Sequence, residues 1–164
     1  MGGEDAARGE ERIRDFRMAD VAAVADIFRE APEAAQWPEA ELRGAFYLAG
    51  VVAYVSEQQG AIAGVVIGRR VGDEAEILNL AVRAERRRRG QGKRLVAKML
   101  EELARSGVSR VFLEVRQSNV GAIEFYERLG FATAGLRKDY YQNPTEAAKV
   151  MELQLRKSTE FQEK

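Results

Sequence analysis

The sequence ILNLAVRAERRRRGQGKRL at residues 77–95 changes character twice within a short stretch. Its first part, up to Val82, has the apolar composition of a strand. Its last part begins a series of apolar residues at helical spacing that continues to Leu103. Four consecutive arginines followed by Gly90 and Gly92 lie between the two parts. The segment therefore predicts a strand, a basic turn that contains glycine, and a long helix.

The turn, Arg86–Lys93 (RRRRGQGK), has the composition of a pyrophosphate-binding loop. Glycines at 90 and 92 allow the backbone to approach an anion, and a helix N-terminus presents N–H groups with no partner in the helix. A solvated basic turn or a nucleic-acid-binding patch would contain a similar arginine run. The chain has 26 Lys+Arg against 26 Asp+Glu, and this zero net charge argues against nucleic acid as the partner.

The rest of the chain predicts one α/β domain at residues 11–156, with flexible ends at 1–10 and 157–164. Hydrophobic periodicity and turn residues place the elements in chain order. They are a strand near 13–18, a helix between the possible cap Asp20 and Pro32, a helix from Pro38, three antiparallel strands within 51–84, a helix at 91–106, a strand at 108–115, a helix at 120–129, and two strands near 131–139 and 147–155.

The sequence contains neither Cys nor His. This excludes a thiolate nucleophile, an imidazole base, a disulfide framework and a zinc finger, so catalysis must use carboxylate, Tyr, Ser/Thr, Lys or backbone groups. The first ten residues (MGGEDAARGE) lack the apolar core of a signal peptide, and no run of about 18 apolar residues predicts a membrane span. We expect a cytoplasmic protein that needs no metal and binds no membrane.

Three segments resemble the GNAT family of N-acetyltransferases in order and spacing. They are the loop Arg87-x-x-Gly90-x-Gly92, the segment LEVRQSN at 113–119, and AIEFYERLGF at 122–131. With the pair Tyr140-Tyr141, they are most similar to the RimI-like branch, which acetylates the N-termini of ribosomal proteins. The resemblance covers about residues 12–155. It implies the GNAT fold, in which a mixed, twisted sheet of about six to seven strands is splayed in the middle and has helices on both faces.

The resemblance also implies that acetyl-CoA is the cofactor and which residues bind it. The backbone of the last residues of the central strand would contact the pantetheine arm, although as side chains these residues suit a core strand equally well. The loop would bind the pyrophosphate, and Asn119 would contact the CoA arm. Ser118 or Asn119 is also well placed to cap the following helix. The implied cofactor residues are Leu80, Ala81, Val82, Arg87, Arg88, Arg89, Gly90, Gln91, Gly92, Lys93 and Asn119.

Glu114 is the candidate general base, because a carboxylate that interrupts the apolar strand VFLEV must lie near a buried surface. A peptide α-amine has a pKa of roughly 7.7 to 8, so a modest base suffices to deprotonate it at neutral pH. The resemblance gives the matching Glu this role. By position alone, Glu114 could equally pair with Arg116 or with a neighbouring strand.

Tyr126 is the candidate general acid for the departing thiolate. Helical spacing places it with Ala122 and Ile123 on the face toward the sheet, which also suits a core aromatic residue with its hydroxyl at the rim. The resemblance gives the matching Tyr the role of acid. For the acceptor, the resemblance implies contacts from Trp37, Tyr140 and Tyr141, which could instead be a lid over the core and an edge-strand aromatic pair.

The expected activity is therefore acetyl transfer from acetyl-CoA to the N-terminal α-amine of a protein, by resemblance a small-subunit ribosomal protein that begins with Ala. The same fold could instead acetylate a small amine or a lysine side chain. A non-catalytic acyl-CoA-binding module would keep the loop but would not need Glu114 and Tyr126. A nucleic-acid module built on the arginines would bind in a steeply salt-dependent way.

Overall fold

The computed structural model describes residues 10–155, which form a seven-stranded mixed sheet with helices. The order of strands in the sheet is β1-β2-β3-β4-β5-β7-β6. Among these residues no helix combines the length and apolar composition needed to cross a membrane. The elements are β1 (Glu11–Asp15), α1 (Val21–Glu30), α2 (Glu39–Ala45), β2 (Val51–Gln58), β3 (Ala61–Val71), β4 (Glu74–Val82), α3 (Gln91–Arg105), β5 (Arg110–Arg116), α4 (Val120–Arg128), β6 (Ala132–Tyr141) and β7 (Glu146–Gln154).

The described residues form two compact units, of which the first comprises residues 10–48, 53–67 and 79–99. Within it β1 pairs antiparallel with β2. The first turns of α3 bury Leu95, Val96 and Met99 completely, as the helical spacing in the sequence predicts. Because the apolar face of α3 is fixed by this packing, the backbone at its N-terminus is held at the end of a rigid element.

The second unit comprises residues 49–52, 68–78 and 100–155 of the described range. Here the first half of β4 pairs parallel with β5, β5 pairs antiparallel with β7, and β7 pairs antiparallel with β6. Strand β5 buries Val111, Leu113 and Val115 on one face. Strict alternation therefore places Phe112 and Glu114 on the other, half-exposed face.

The predicted elements all occur, and the differences lie at their ends. The helix predicted at 91–106 ends at Arg105, and Gly107 follows it with φ of +93°. The capping of the first helix by Asp20 is wrong. Asp20 occupies the N-cap position of α1, but its carboxylate accepts hydrogen bonds from the Arg17 N–H and the Arg14 guanidinium instead of from that helix. Two residues that precede Asp20 therefore replace the helix N–H groups as its partners.

Candidate active site

The loop before α3 has two residues in the left-handed region of backbone conformation. Arg88 has φ of +64° and Gly90 has φ of +77°. The first α-helical hydrogen bond of α3 runs from the Arg94 N–H to the Gly90 carbonyl, at 3.0 Å. Gly90 therefore marks the point where the turn becomes the helix.

Six successive backbone N–H groups of this loop, those of residues 88–93, donate no hydrogen bond to another residue in the described range 10–155. The first turn of a helix always leaves such donors, because their acceptors would precede the helix. The turn adds more of them, and the partial positive charge of the helix end adds to their effect. The loop has the geometry expected of a backbone anion site.

The arginines of the loop do not act alike. Arg86 donates to the side chain of Gln58 at 2.7 Å, and Arg87 pairs with Glu33 at 2.8 Å. Within residues 10–155, the side chains of Arg88 and Arg89 have no ion-pair partner. The sequence predicts that all these arginines add positive charge to an anion site. In the structure, the side chains of Arg86 and Arg87 instead bind Gln58 and Glu33 and so fix the loop.

Gln91 opens α3 and is only 3% exposed. Its side-chain nitrogen lies 3.5 Å from the side-chain oxygen of Gln58. Its own Oε1 has no hydrogen-bond partner among the described residues. An unpartnered buried acceptor is unusual, and Gln91 is itself one of the residues 88–93 whose N–H groups donate no hydrogen bond within residues 10–155.

The end of β4 carries the backbone predicted to contact a pantetheine arm. Pairing of β4 with β5 stops at Ile77 and Leu113. The Arg83 N–H donates a hydrogen bond to the Ala63 carbonyl of β3. Because the backbone groups of successive strand residues point to opposite edges, those of Leu80 and Val82 point to the other edge of β4. At that edge Asn79 accepts from the Leu80 N–H at 3.1 Å, and Arg87 donates to the Val82 carbonyl at 3.2 Å. Side chains therefore satisfy two of the backbone groups that a ligand would use.

Glu114 lies at the centre of a cluster of polar side chains in the second unit. Its side chain is 13% exposed and lies 3.1 Å from the Arg137 guanidinium. The Tyr140 hydroxyl also donates a hydrogen bond to it. Arg116, which the sequence offered as a partner, pairs with Glu146 at 3.3 Å instead.

Two irregularities in β6 precede these partners of Glu114. The register with β7 shifts between Thr133 and Gly135, before Arg137, and again between Arg137 and Tyr141, where Asp139 has φ of +53° just before Tyr140. Such a bulge changes the direction of the side chains that follow it. The sequence gave no sign of this, because a bulge at an Asp leaves no local pattern comparable to a glycine turn.

The aromatic pair at the end of β6 is predicted to contact the acceptor. The rings of Tyr140 and Tyr141 meet edge to face, with centroids 5.0 Å apart. The hydrogen bond to Glu114, with burial and the charge of Glu114, raises the pKa of Tyr140 to about 12. Burial and the charge of Glu114 also raise the pKa of Tyr141. The Arg116 guanidinium lies over the Tyr141 ring, 4.3 Å from the ring centroid. The pair thus belongs to the polar surroundings of Glu114.

Tyr126 projects from α4 into the core, as its helical position predicts, and is 8% exposed. Its ring packs edge to face against Phe125 and Phe131, with centroids 5.0 and 5.5 Å away. Burial raises its pKa, so the hydroxyl stays protonated well above neutral pH. No hydrogen bond joins Tyr126 to Glu114 in the part of the chain that the structure describes.

Asn119 caps α4, as predicted, and accepts from the Ala122 N–H at 3.2 Å.

In the first unit, Trp37 is half-buried and packs edge to face on Phe28, with ring centroids 6.3 Å apart. The carbonyl of Ala35, in the same segment, accepts from the buried Asn79 at 2.8 Å. Trp37 therefore contacts the buried core through Phe28, and its predicted contact with the acceptor stays a prediction.

Sequence reasoning missed Glu76 and Arg137. Both line a cavity of about 430 Å³ that Glu114 also lines. Burial and the charge of Glu114 raise the pKa of Glu76, while Arg137 opposes the shift. The register that pairs Glu76 with Phe112 puts both on the face of Glu114. Alternation along EAEIL could have indicated the face of Glu76, but not its neighbours.

Comparison with known proteins identifies the class to which this fold and these residues belong. The model of the acetyltransferase (GNAT) family matches residues 19–131, and the chain belongs to this family. The sequence is 43% identical over 84 residues to the ribosomal protein bS18-alanine N-acetyltransferase of Escherichia coli K12. That match covers 51% of this chain, and the chain spans 57% of the length of this relative.

Two further matches extend over more of the chain. A putative ribosomal protein bS18-alanine N-acetyltransferase of Bacillus subtilis is 31% identical over 144 residues, which cover 85% of this chain and 92% of the relative. The crystal structure of the ribosomal-protein-S18-alanine N-acetyltransferase from Escherichia coli superposes with a TM-score of 0.79 at 31% identity, covering 94% of this chain and all of that one. The resemblance of the sequence to the RimI-like branch of the GNAT family is thus confirmed.

The hydrogen bond between Tyr140 and Glu114 predicts a change in one tyrosine pKa. Glu114→Gln removes the carboxylate charge that opposes ionisation of Tyr140, so the pKa of Tyr140 should fall from about 12 toward its ordinary value of about 10. An NMR pH titration of the protein with labelled tyrosine rings measures this. Glu74→Gln, on the same sheet face but paired with Arg110, is the control and should leave the Tyr140 titration in place. An unchanged pKa in Glu114→Gln would show that the two side chains do not interact.

Proposed function

We propose that this protein is an acetyl-CoA-dependent N-acetyltransferase that modifies the N-terminal α-amine of a protein. The observation that carries the proposal is the series of six N–H groups at residues 88–93 that donate no hydrogen bond to the described residues 10–155. The family and the named activity of the similar Escherichia coli and Bacillus subtilis proteins support it. Those relatives also favour a bS18-type ribosomal protein with an N-terminal Ala as the acceptor.

The residues of the loop suit the pyrophosphate of acetyl-CoA. Backbone N–H groups at a helix N-terminus bind phosphate oxygens well. Arg88 and Arg89, whose side chains have no ion-pair partner within residues 10–155, add positive charge, and Lys93 in the first turn of α3 adds a further positive charge. The main chain of Leu80 and Val82 would hold the pantetheine arm, which requires the side-chain bonds from Asn79 and Arg87 to open. The backbone groups of Ala81, the third residue expected to bind the arm, face β3 instead. The bound cofactor supplies the acetyl thioester.

Glu114 is proposed to accept the proton of the attacking α-ammonium, through water. It suits this role because it is mostly buried yet lines a cavity, and because Tyr140 and Arg137 fix the position of its carboxylate. A fixed carboxylate aligned by hydrogen bonds loses little entropy on reaction. Neither a metal nor an imidazole is needed for this step.

Tyr126 is proposed to give its proton to the thiolate sulfur as the thioester breaks. A CoA thiol has a pKa near 8.5, so a neutral hydroxyl held within hydrogen-bond reach can protonate or solvate the sulfur. Burial keeps this hydroxyl neutral at the working pH. Asn119 at the N-cap of the same helix would contact the CoA arm through its amide NH2, since its oxygen already accepts from Ala122.

Acceptor contacts are assigned to Trp37, Tyr140 and Tyr141. The edge-to-face tyrosines present rings beside the proposed base, which suits a peptide backbone passing over them. An α-amine is favoured over a lysine side chain because its pKa is roughly 7.7 to 8 against about 10.4, so a mild base suffices for the first and not for the second.

The proposed activity is tested by mass spectrometry of peptides incubated with acetyl-CoA and the full chain. The peptides should begin with Ala, Ser or Met and carry one internal Lys. We expect the acetyl group on the α-amine, fastest for Ala, with the internal Lys reacting at least tenfold more slowly. Acetylation of Lys in preference to the α-amine would assign the protein to lysine or small-amine acetylation instead.

Glu114 and Tyr126 should differ in the pH dependence of their variants. Glu114→Gln should lower kcat/KM at pH 7 by about 100-fold, with partial recovery toward pH 9, because rising pH supplies free amine without a base. Tyr126→Phe should lower kcat/KM without such recovery, because its defect is in departure of the thiolate. The measurement is the pH profile of kcat/KM for each variant between pH 6 and 9.

The controls for these profiles are thermal unfolding of each variant with and without CoA, and Phe125→Leu as a matched change on the same helix. Both variants should unfold near the wild-type temperature and be stabilised by CoA to a similar extent. Full activity of Glu114→Gln across the whole pH range would remove Glu114 from the reaction.

A further inference from the structure

Arg94, in the first turn of α3, binds two successive carbonyls of the loop that precedes the helix. Its Nη1 donates to the Arg89 carbonyl at 3.0 Å. Its backbone N–H donates to the Gly90 carbonyl, also at 3.0 Å. One residue therefore holds the acceptor side of two neighbouring peptide groups.

These two bonds fix the direction of two N–H groups of the loop. In a planar trans peptide, the carbonyl of one residue and the N–H of the next point in opposite directions. The N–H groups of Gly90 and Gln91 therefore point away from the groups of Arg94 that bind the carbonyls. Both are among the six N–H groups that donate no hydrogen bond within residues 10–155. Arg94 thus leaves the donor side of both peptide groups open.

The guanidinium of Arg94 is itself anchored on β1 and β2. Its Nε forms an ion pair with Glu11, whose side chain is 15% exposed. The Glu11 carboxylate also accepts from the hydroxyl of the fully buried Ser56, at 2.9 Å. A carboxylate held by a buried partner is better ordered than one in an ordinary surface ion pair, which contributes little. The loop is therefore tied through Arg94 to the sheet.

Gly90 leaves the space that this arrangement needs. A Cβ on Gly90 would lie only 2.9 Å from Nη1 of Arg94. The φ of +77° at Gly90 is also one that glycine adopts readily and other residues rarely adopt. A side chain at residue 90 would therefore push the guanidinium away from the Arg89 carbonyl.

We propose that Arg94, anchored by Glu11, is a positioning residue that aims the N–H groups of Gly90 and Gln91 at the pyrophosphate of acetyl-CoA. The identity of the anion rests on the proposed function. The guanidinium acts through the backbone of the loop and needs no contact with the cofactor.

The first test is calorimetric titration of CoA into wild type and Arg94→Ala. The variant should raise the Kd about three- to tenfold, because a peptide group that is no longer held must be ordered when the anion binds. KM for acetyl-CoA should rise by the same factor with kcat unchanged, since the reacting groups are untouched. Arg105→Ala, which removes an exposed arginine paired with Glu101 on the same helix, is the matched control and should leave the Kd unchanged. Thermal unfolding without ligand shows that each variant is folded.

Glu11→Gln separates positioning from simple attraction of phosphate by the Arg94 charge. If Arg94 acted by charge alone, neutralising Glu11 would remove a repelling carboxylate and CoA would bind more tightly. If Arg94 positions the loop, Glu11→Gln should weaken CoA binding about two- to fivefold in wild type and should not weaken it when residue 94 is already changed to Ala. Unchanged or tighter binding by Glu11→Gln in the wild-type background would overturn the proposal.

NMR of the labelled protein without CoA reports on the loop independently of the proposed function. The carbonyl carbon shift of Arg89 and the amide nitrogen shift of Gly90 should change in Arg94→Ala and stay as in wild type in Arg105→Ala. If they do so but wild type neither binds CoA nor acetylates a peptide, the proposed function fails and the hold of Arg94 on the loop stands. If wild type binds CoA but Arg94→Ala leaves the Kd or these shifts unchanged, the positioning role is wrong.

Discussion

Six backbone N–H groups at residues 88–93 make no hydrogen bond with the described part of the chain, and the proposed binding of acetyl-CoA depends on them. Buried packing of α3 through Leu95, Val96 and Met99 fixes the helix whose N-terminus presents them. The positive φ of Gly90 turns the chain directly into that helix. Unpaired donors at a rigid helix end are a pre-organised site for phosphate oxygens, since no ordering cost falls on the protein when the anion binds. Cofactor binding in this account is thus a property of the backbone.

The proposed chemistry, by contrast, depends on side chains, and it centres on one carboxylate. Glu114 interrupts an apolar strand and is bound by Arg137 and the Tyr140 hydroxyl. These partners orient the carboxylate while leaving it on the wall of a cavity. Glu76 lines the same cavity, because alternation along β4 and β5 directs both carboxylates to the same side of the sheet.

Sequence reasoning succeeded where the deciding interactions are local. The helix through Leu95 and Met99, the turn at Gly90 and the cap at Asn119 each follow from residues within a few positions of one another, and the structure has all three. It failed where another group competes for the same side chain. Asp20 accepts hydrogen bonds from Arg14 and Arg17 in place of the helix it precedes. The roles of Glu114 and Tyr126 stay predictions, and the partners of Glu114 could not be foreseen, because a bulge in β6 decides which side chains reach it.

Calorimetric titration of CoA into wild type, Gly92→Val and Arg88→Ala tests the central claim most directly. A β-branched side chain at residue 92 hinders approach of a phosphate to the backbone donors, and losing even one charge-assisted hydrogen bond of about 1.5 to 3 kcal/mol weakens binding tenfold or more. Removing the exposed Arg88 guanidinium leaves the donors in place and should cost less than about threefold, since salt screens it. Unfolding temperatures without ligand show that both variants are folded. If Arg88→Ala weakens CoA binding more than Gly92→Val does, the cofactor is held by side-chain charge and the backbone account is contradicted.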